Sequence, residues 1–310
     1  MPRIFLLCCF ILLTLPGLRA QKTTVHDFPA EDLAFLKIMG DSIANLAFVV
    51  QTDSVSEERY LAVHALIPRL VKALKTPNSF HYRFPQVQHM SIQYPADSSF
   101  RIFTIELFVN RDEYRYFGAI QFAGSELNLI PLVDRSGEFA GDLTTARLTP
   151  DDWYGNLIYR IQEVKEGPHP YYLLYGIDSY SAYRRRKLVD VLRFDRHGMP
   201  VLGAPVFVDD KGGVKSRLLQ EYSADASVRL NYDEVQELIM TDHLETMGGQ
   251  VGQGPVNVPD GTYEGYRLDG DGKWHYVDKV FHHVYDEAPR PQPRTEGKGT
   301  SIIGRKSGRR

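Results

Sequence analysis

The hydrophobic residues near the start of the chain recur with the period of an α-helix. Over residues 29–50 and again over residues 54–74, apolar side chains step by three or four positions, the spacing of a helix with one buried face. Pro68 lies inside the second stretch, where a proline costs about 3 kcal/mol and is expected to kink or split the helix. We therefore predict a helical N-terminal segment over residues 21–80. Its buried positions are predicted to be Leu33, Leu36, Met39, Ile43, Leu46, Val50, Tyr60, Val63, Ile67, Leu70, Val71 and Leu74.

From residue 86 onward the pattern changes to the period of two that is typical of β-strands. Short runs rich in β-branched and aromatic residues alternate with turn segments such as "PADSS", "NRDE" and "AGSE". The cluster "LDGDGKW" is a strong hairpin signal with its turn at Gly270 and Asp271. These runs predict about twelve antiparallel strands over residues 86–287.

The predicted fold class is α+β and mainly β: the N-terminal helical segment is followed by a large antiparallel β meander. The strands fall into three groups of about four, which is fewer than the roughly 4–8 blades of a normal propeller. We therefore expect packed or curled sheets, with a propeller-like arrangement as the alternative. The β region forms one domain, or two closely packed domains with a boundary near residues 135–150.

The first twenty residues have the pattern of a secretory signal peptide. Arg3 precedes an apolar run over residues 4–15, and the small residue Ala20 lies at the cleavage position. The run is shorter than the roughly 20 residues that a membrane span needs, and we identify no later run that reaches this length. We expect cleavage before Gln21 and an exported protein, periplasmic or extracellular, without a transmembrane span. A short membrane anchor is the alternative.

The opposite end of the chain is predicted to be a disordered basic tail. Residues 288–310 carry seven Arg or Lys and one Glu, with few apolar side chains. Because the whole chain has a net charge of −3, the body is acidic, which argues against sequence-specific binding of nucleic acid. The alternative role of the tail is a weak contact with an anionic surface.

The sequence lacks the common signatures of catalysis. It contains no Gly-x-Ser-x-Gly elbow, no phosphate-binding GxxxxGK[ST] loop and no HExxH zinc motif. Its two cysteines, Cys8 and Cys9, lie in the leader, so the mature chain has no disulfide and no thiol nucleophile. No cofactor is expected.

The segment "MTDHLET" contains the candidate catalytic residues Asp242, His243 and Glu245. A carboxylate beside an imidazole can orient a general base or hold a metal. Adjacent strand residues point to opposite faces, however, so the alternative is that these side chains do not converge.

The segment "DKVFHHVYDE" contains the candidate metal ligands His282, His283 and Asp286. Imidazole and carboxylate groups at this spacing suit a divalent cation. The alternative is a solvated strand end beside the basic tail.

Four consecutive cations, Arg184, Arg185, Arg186 and Lys187, stand where a strand is predicted to begin. Charged residues at such a position disfavour the pairing of an exposed edge strand with another chain. Asp178 is close enough in sequence to pair with these cations across a hairpin. The alternative is a binding patch for an acidic glycan or a phosphorylated lipid.

A run of aromatic residues begins at Trp153 and Tyr154, the two candidates for ligand binding in this part of the chain. Tyrosine fits a half-buried pleat, but several rings on one exposed face would form a platform for a sugar or peptide. The run comprises Trp153, Tyr154, Tyr159, Tyr171, Tyr172, Tyr175, Tyr180 and Tyr183.

Three segments carry a resemblance to a known group of proteins: "YGIDSYSAYRRRKLVDVLRFDRHGMPVLGAPVF", "LLQEYSADASVRLNYDE" and "VPDGTYEGYRLDGDGKWHYVDKV". Together they resemble a family of uncharacterised exported bacterial proteins, over most of residues 86–285. The resemblance implies secretion and a β-rich body and assigns no catalytic residue.

These observations lead to one expected function and one alternative. The expected function is a non-enzymatic protein of the cell envelope that binds an envelope protein or glycan or has a structural role. The alternative is a secreted or periplasmic hydrolase that acts on glycan or peptide through carboxylates such as Asp242.

Overall fold

The computed structural model describes residues 28–165, 170–249 and 252–280. The leader, the basic tail and the candidate ligands His282, His283 and Asp286 lie outside these ranges. The described part is mainly β, with N-terminal helices followed by antiparallel sheets and no closed barrel, which confirms the predicted fold class.

The chain divides into two compact units. The first comprises Met1–Met90 and Gln121–Leu129, and the second comprises Ser91–Ile120 and Ile130–Arg310.

The helices of the first unit are α1, Ala30–Thr52, and α2, Ser56–Leu74, followed by a short 3-10 turn, Ser79–His81. They pack against each other along apolar faces. Helix α2 continues through Pro68 without splitting. The buried helix positions are Leu36, Met39, Gly40, Ile43, Ala47, Val50, Arg59, Ala62, Val63, Leu66, Leu70, Ala73 and Leu74.

Helix α1 is long and apolar enough to cross a membrane by length and composition, which we did not expect of any segment after the leader. Core helices of soluble proteins and signal sequences have the same two properties. An apolar helix this close to the N-terminus is compatible with export.

The described residues contain fifteen strands in three sheets, against about twelve predicted. The first sheet has the order β1-β2-β3-β4 and is entirely antiparallel. Its strands are β1 Ser91–Gln93, β2 Phe100–Asn110, β3 Glu113–Phe122 and β4 Leu129–Val133.

The second sheet has a central antiparallel path with one short strand attached at the side. Its strands are β5 Leu157–Val164, β6 Tyr171–Asp178, β7 Arg184–Phe194, β8 Pro200–Leu202 and β11 Arg217–Ser223. The order is β11-β7-β6-β5, and β8 pairs with β7.

The third sheet has the order β10-β9-β15-β14-β13-β12, with one parallel pair, β15 and β9. Its strands are β9 Phe207–Val208, β10 Val214–Lys215, β12 Leu230–Asp233, β13 Leu238–Gly248, β14 Pro255–Leu268 and β15 Trp274–Val277. The predicted hairpin at Gly270 and Asp271 is confirmed, because it joins the antiparallel strands β14 and β15.

A core cluster contains side chains of the second and third sheets. Tyr171 and Trp274 are fully buried there, and the indole nitrogen of Trp274 donates to the Tyr171 hydroxyl at 2.9 Å. A buried ion pair, Asp190 with Arg217 at 2.8 Å, links β7 to β11. These contacts hold β6 and β7 in the fold, and the candidate site lies at the opposite end of β6 from Tyr171.

Candidate functional site

A cavity among the described residues, which we call the Tyr180 pocket, has a volume of about 320 Å³. It is built from the start of β3, a 3-10 turn at Ser136–Glu138, the segment before β5 and the end of β6. Its lining residues are Asp112, Glu113, Tyr114, Arg115, Ser136, Gly137, Tyr154, Asp178 and Tyr180. The lining therefore combines carboxylates, hydroxyls, one guanidinium and three aromatic rings.

Asp178, the last residue of β6, is the buried carboxylate of this pocket, with 3% of its surface exposed. It accepts hydrogen bonds from the hydroxyls of Tyr154, at 2.8 Å, and Tyr116, at 3.0 Å, and from the backbone N–H of Tyr180, at 2.9 Å. Burial raises the pKa of Asp178, while these donors and the charge of Arg186 act in the opposite direction. Both carboxylate oxygens are thus occupied by protein donors.

The hydroxyl of Tyr116 connects Asp178 to a second carboxyl group. It lies 3.0 Å from Asp178 Oδ1 and 2.9 Å from Glu106 Oε2, and it accepts the N–H of Ser179 at 2.8 Å. Burial and the charges of both carboxylates raise the pKa of Tyr116, so the phenol keeps its proton. One phenolic proton cannot serve two ionised acceptors at once, so the arrangement favours a carboxylic proton on one side.

Arg186 belongs to the same hydrogen-bond network, which it joins through Tyr154. Its Nη1 donates to the Tyr154 hydroxyl at 2.8 Å, and its Nε and Nη2 donate to Glu221 at 2.9 and 2.7 Å. Its guanidinium lies over the ring of Tyr180, 3.4 Å from the ring centre. Arg186 therefore holds both Tyr154 and Tyr180 in place.

Tyr180 itself has an unusual backbone conformation. Its φ of +47° lies in the left-handed region, which is uncommon for a bulky residue and costs on the order of 1–3 kcal/mol. The hydrogen bond to Asp178 and the stacking on Arg186 hold it there. Since 38% of its surface is exposed, the ring is fixed at the pocket while remaining accessible.

Asp134 fixes the opposite wall of the pocket. Its carboxylate accepts the backbone N–H groups of Tyr116, at 2.9 Å, Ser136, at 2.9 Å, and Gly155, at 3.2 Å. A Cβ at Gly155 would lie 2.4 Å from Asp134 Oδ1 and 2.7 Å from the Tyr116 ring. Glycine is therefore required where these segments meet.

The four cations at the start of β7 all have partners within the protein. Arg184 binds Glu221 at 2.9 Å, as Arg186 does, and Arg185 donates to the backbone carbonyls of Ser179 and Ser181. Lys187 donates to the backbone carbonyl of Val228 at 2.6 Å. The register places Asp178 opposite Arg186, across the predicted hairpin. These contacts give the cations a structural role, and Arg186 supports the pocket.

The two aromatic candidates have different positions. Tyr154 lines the Tyr180 pocket, whereas Trp153 is buried in the core with 1% exposure. Asp112 to Arg115, Tyr116 and Asp178 belong to the site, but sequence reasoning did not identify them as functional residues, and it included Tyr180 only as one tyrosine of the aromatic run. The signal that could have identified them is "DSY", an acidic residue followed by a turn between two strands.

The residues of the "MTDHLET" segment do not form a common site. Asp242 is buried, and its carboxylate accepts the backbone N–H of Arg229. His243 contacts Asp260 at 2.7 Å on a half-exposed surface, and Glu245 is exposed. Within residues 28–165, 170–249 and 252–280, no three His, Cys, Asp or Glu side chains lie where they could hold a metal ion.

Comparison with protein-family models, with curated proteins and with solved structures found no match. The resemblance to an exported bacterial family therefore stays a prediction.

Proposed function

We propose that the protein is an exported, non-enzymatic binding protein of the cell envelope that holds a glycan fragment in the Tyr180 pocket. The observation that carries the proposal is Tyr180: a half-exposed ring is kept in a costly backbone conformation at the lining of a cavity. Strained backbone of this kind is concentrated at ligand sites, where it pre-positions a contact.

The size and chemistry of the pocket suit a hydroxylated ligand. Its volume of about 320 Å³ is at the small end of the range of about 300–1,000 Å³ that is usual for small-molecule sites. Asp112 is an acceptor for ligand hydroxyl groups, and Ser136 can donate or accept. Glu113 and Arg115 form an ion pair with each other at 2.8 Å, so a ligand would meet them as a pair. The tyrosine rings supply apolar faces for the ring carbons of a sugar.

Binding is favoured over catalysis because of how Asp178 is held. A general acid or base must reach the substrate, but both oxygens of Asp178 already accept hydrogen bonds from Tyr116, Tyr154 and Tyr180. Asp178 therefore orients the tyrosines that contact the ligand.

The test is a calorimetric titration of the mature chain with neutral and amino-sugar oligosaccharides. Tyr180→Ala should weaken binding several-fold to about tenfold, the effect of removing an aromatic contact. Tyr183→Ala is the matched control, because Tyr183 is also exposed but does not line the pocket. Equal affinities for the two variants would refute the assignment of the site.

A hydrolase is the second candidate, and one observation favours it. Tyr116 joins Asp178, whose pKa is raised by burial, to a second carboxyl group, that of Glu106, and glycoside hydrolases use two carboxyl groups, one of which has a raised pKa. This candidate predicts release of reducing sugar by the wild-type chain and its loss in both Asp178→Asn and Glu106→Gln. Binding without turnover would exclude it.

A further inference from the structure

A second cavity lies at the end of β7 and has a volume of about 250 Å³. It shares no residue with the Tyr180 pocket. Its lining residues are Arg147, Arg193, Phe194, Asp195, Val201, Gly203, Ala204 and Pro205. The lining thus combines two guanidinium groups and one carboxylate with an apolar wall, and we call it the arginine pocket.

Among the described residues, no carboxylate forms an ion pair with Arg193 of this pocket. Its guanidinium lies over the ring of Tyr171, 5.1 Å from the ring centre, which orients it. Its Nε is buried and has no hydrogen-bond partner in the described part of the chain, a state that costs about 1–3 kcal/mol or more for a charged group. The guanidinium of Arg193 is therefore a cation in the arginine pocket that no carboxylate among the described residues neutralises.

Arg147 supplies the second positive charge. It is exposed at the same cavity, and no ion pair joins it or Arg193 to a carboxylate among the described residues. The cations of residues 184–187, in contrast, all have partners within the protein.

One oxygen of the lining carboxylate, that of Asp195, is engaged in the adjacent turn. Its Oδ1 accepts the backbone N–H groups of His197 and Met199, at 2.8 and 2.9 Å, in the turn between β7 and β8. These bonds lower the pKa of Asp195, so it remains ionised. The lining keeps an excess of one positive charge.

We propose that the arginine pocket binds an oxyanion carried on a short apolar group, such as an alkyl carboxylate or an alkyl phosphate. The oxyanion would lie between Arg147 and Arg193, because the planar guanidinium fork matches carboxylate and phosphate oxygens. The alkyl group would pack against Phe194, Val201 and Pro205.

The experiment titrates the mature chain with pentanoate, butyl phosphate, inorganic phosphate and the neutral analogue pentanamide. We expect binding of pentanoate or butyl phosphate, and the tighter of the two identifies the oxyanion. Inorganic phosphate should bind more weakly because it lacks the apolar part, and pentanamide should not bind measurably. Equal binding of pentanamide and pentanoate would overturn the proposal.

Two variants locate the site. Arg147→Gln and Arg193→Gln should each weaken binding about tenfold or more. Arg196→Gln is the matched control, since Arg196 is an exposed arginine in the adjacent turn that does not line the pocket. Because Arg147 is exposed, Arg147→Gln still tests the proposal if Arg193→Gln misfolds. Equal loss in Arg196→Gln and Arg147→Gln, or no binding by the wild-type chain, would overturn the proposal.

Discussion

At the scale of single residues, the candidate site depends on the hydroxyl groups that donate hydrogen bonds to Asp178 and on the strained backbone of Tyr180. Tyr116 and Tyr154 both point their hydroxyl groups at Asp178, and Arg186 holds Tyr154 from the other side. In the sequence, Tyr154 and Arg186 could be named as candidates from residue type alone. The convergence of Tyr116 and Tyr154 on Asp178 could not, because the sequence suggested Asp178 only as a hairpin partner of the cations, and Tyr116 is distant from it along the chain.

Asp178 should make the stability of the protein depend on pH. Burial raises its pKa above the ordinary value of 3.8, so its contribution to the free energy of unfolding is fully present below that pH. The contribution is lost as the pH rises through the folded-state pKa. Asp178→Asn lacks this titrating proton. As the pH rises from about 4 to about 7, its free energy of unfolding, measured in urea, should therefore fall less than that of the wild type. Asp112→Asn, at the exposed side of the same pocket, is the control, and identical pH profiles for all three proteins would contradict this role.

Gly155 should tolerate no side chain. The alanine Cβ would collide with the Asp134 carboxylate and the Tyr116 ring, so Gly155→Ala should lower the free energy of unfolding by about 1–3 kcal/mol. Gly248→Ala is the control, because a Cβ at Gly248 meets no atom within 4 Å. Thermal unfolding of the two variants measures the difference; equal melting temperatures would show that the Asp134 junction adjusts freely.

At the scale of elements, the hydrophobic period predicted whether a segment is a helix or a strand. Long-range contacts decided which helix face is buried and which strands pair. In α1 the predicted positions Leu36, Met39, Ile43 and Val50 are buried. In α2 the buried face is rotated toward Ala62 and Leu66, away from the predicted Tyr60 and Ile67, since contact with α1 selects the face. The pairing of strands was harder to predict, because β11 follows β10 in the chain but pairs with β7, and no local pattern encodes that choice.

The Asp190–Arg217 pair should be essential to the pairing of β7 with β11. The Asp190 and Arg217 side chains are 3% and 0% exposed, so Asp190→Ala leaves a buried charge without its partner. The expected loss is about 3–5 kcal/mol in the free energy of unfolding. Glu138→Ala breaks the exposed pair with Arg135 and should cost less than about 1 kcal/mol. Chemical denaturation of the two variants measures the contrast, and similar losses would contradict it.

At the scale of the whole molecule, the fold class was predictable because both hydrophobic periods are long and continuous. The Tyr180 pocket was not, since it forms where four chain segments meet, none of which indicates a site by itself. Export follows from residues 1–20 alone and stays a prediction.

Export predicts a defined N-terminus. When the full chain is expressed in a bacterium, the exported protein should begin at Gln21, as measured by mass spectrometry of the intact protein. Leu6→Arg interrupts the apolar run and should leave the uncleaved chain in the cytoplasm. A wild-type protein that retains residues 1–20 in the membrane fraction would favour the anchor instead.

The proposed function requires that the ring of Tyr180 contacts a sugar. The nuclear Overhauser effect between an added oligosaccharide and the labelled tyrosine rings of the mature chain measures this contact. We expect cross-peaks from sugar protons to Tyr180 and Tyr154, with Tyr180 assigned by its loss in Tyr180→Phe, and none to Tyr183. Cross-peaks to Tyr183 alone, or to no tyrosine while the sugar is bound, would contradict it.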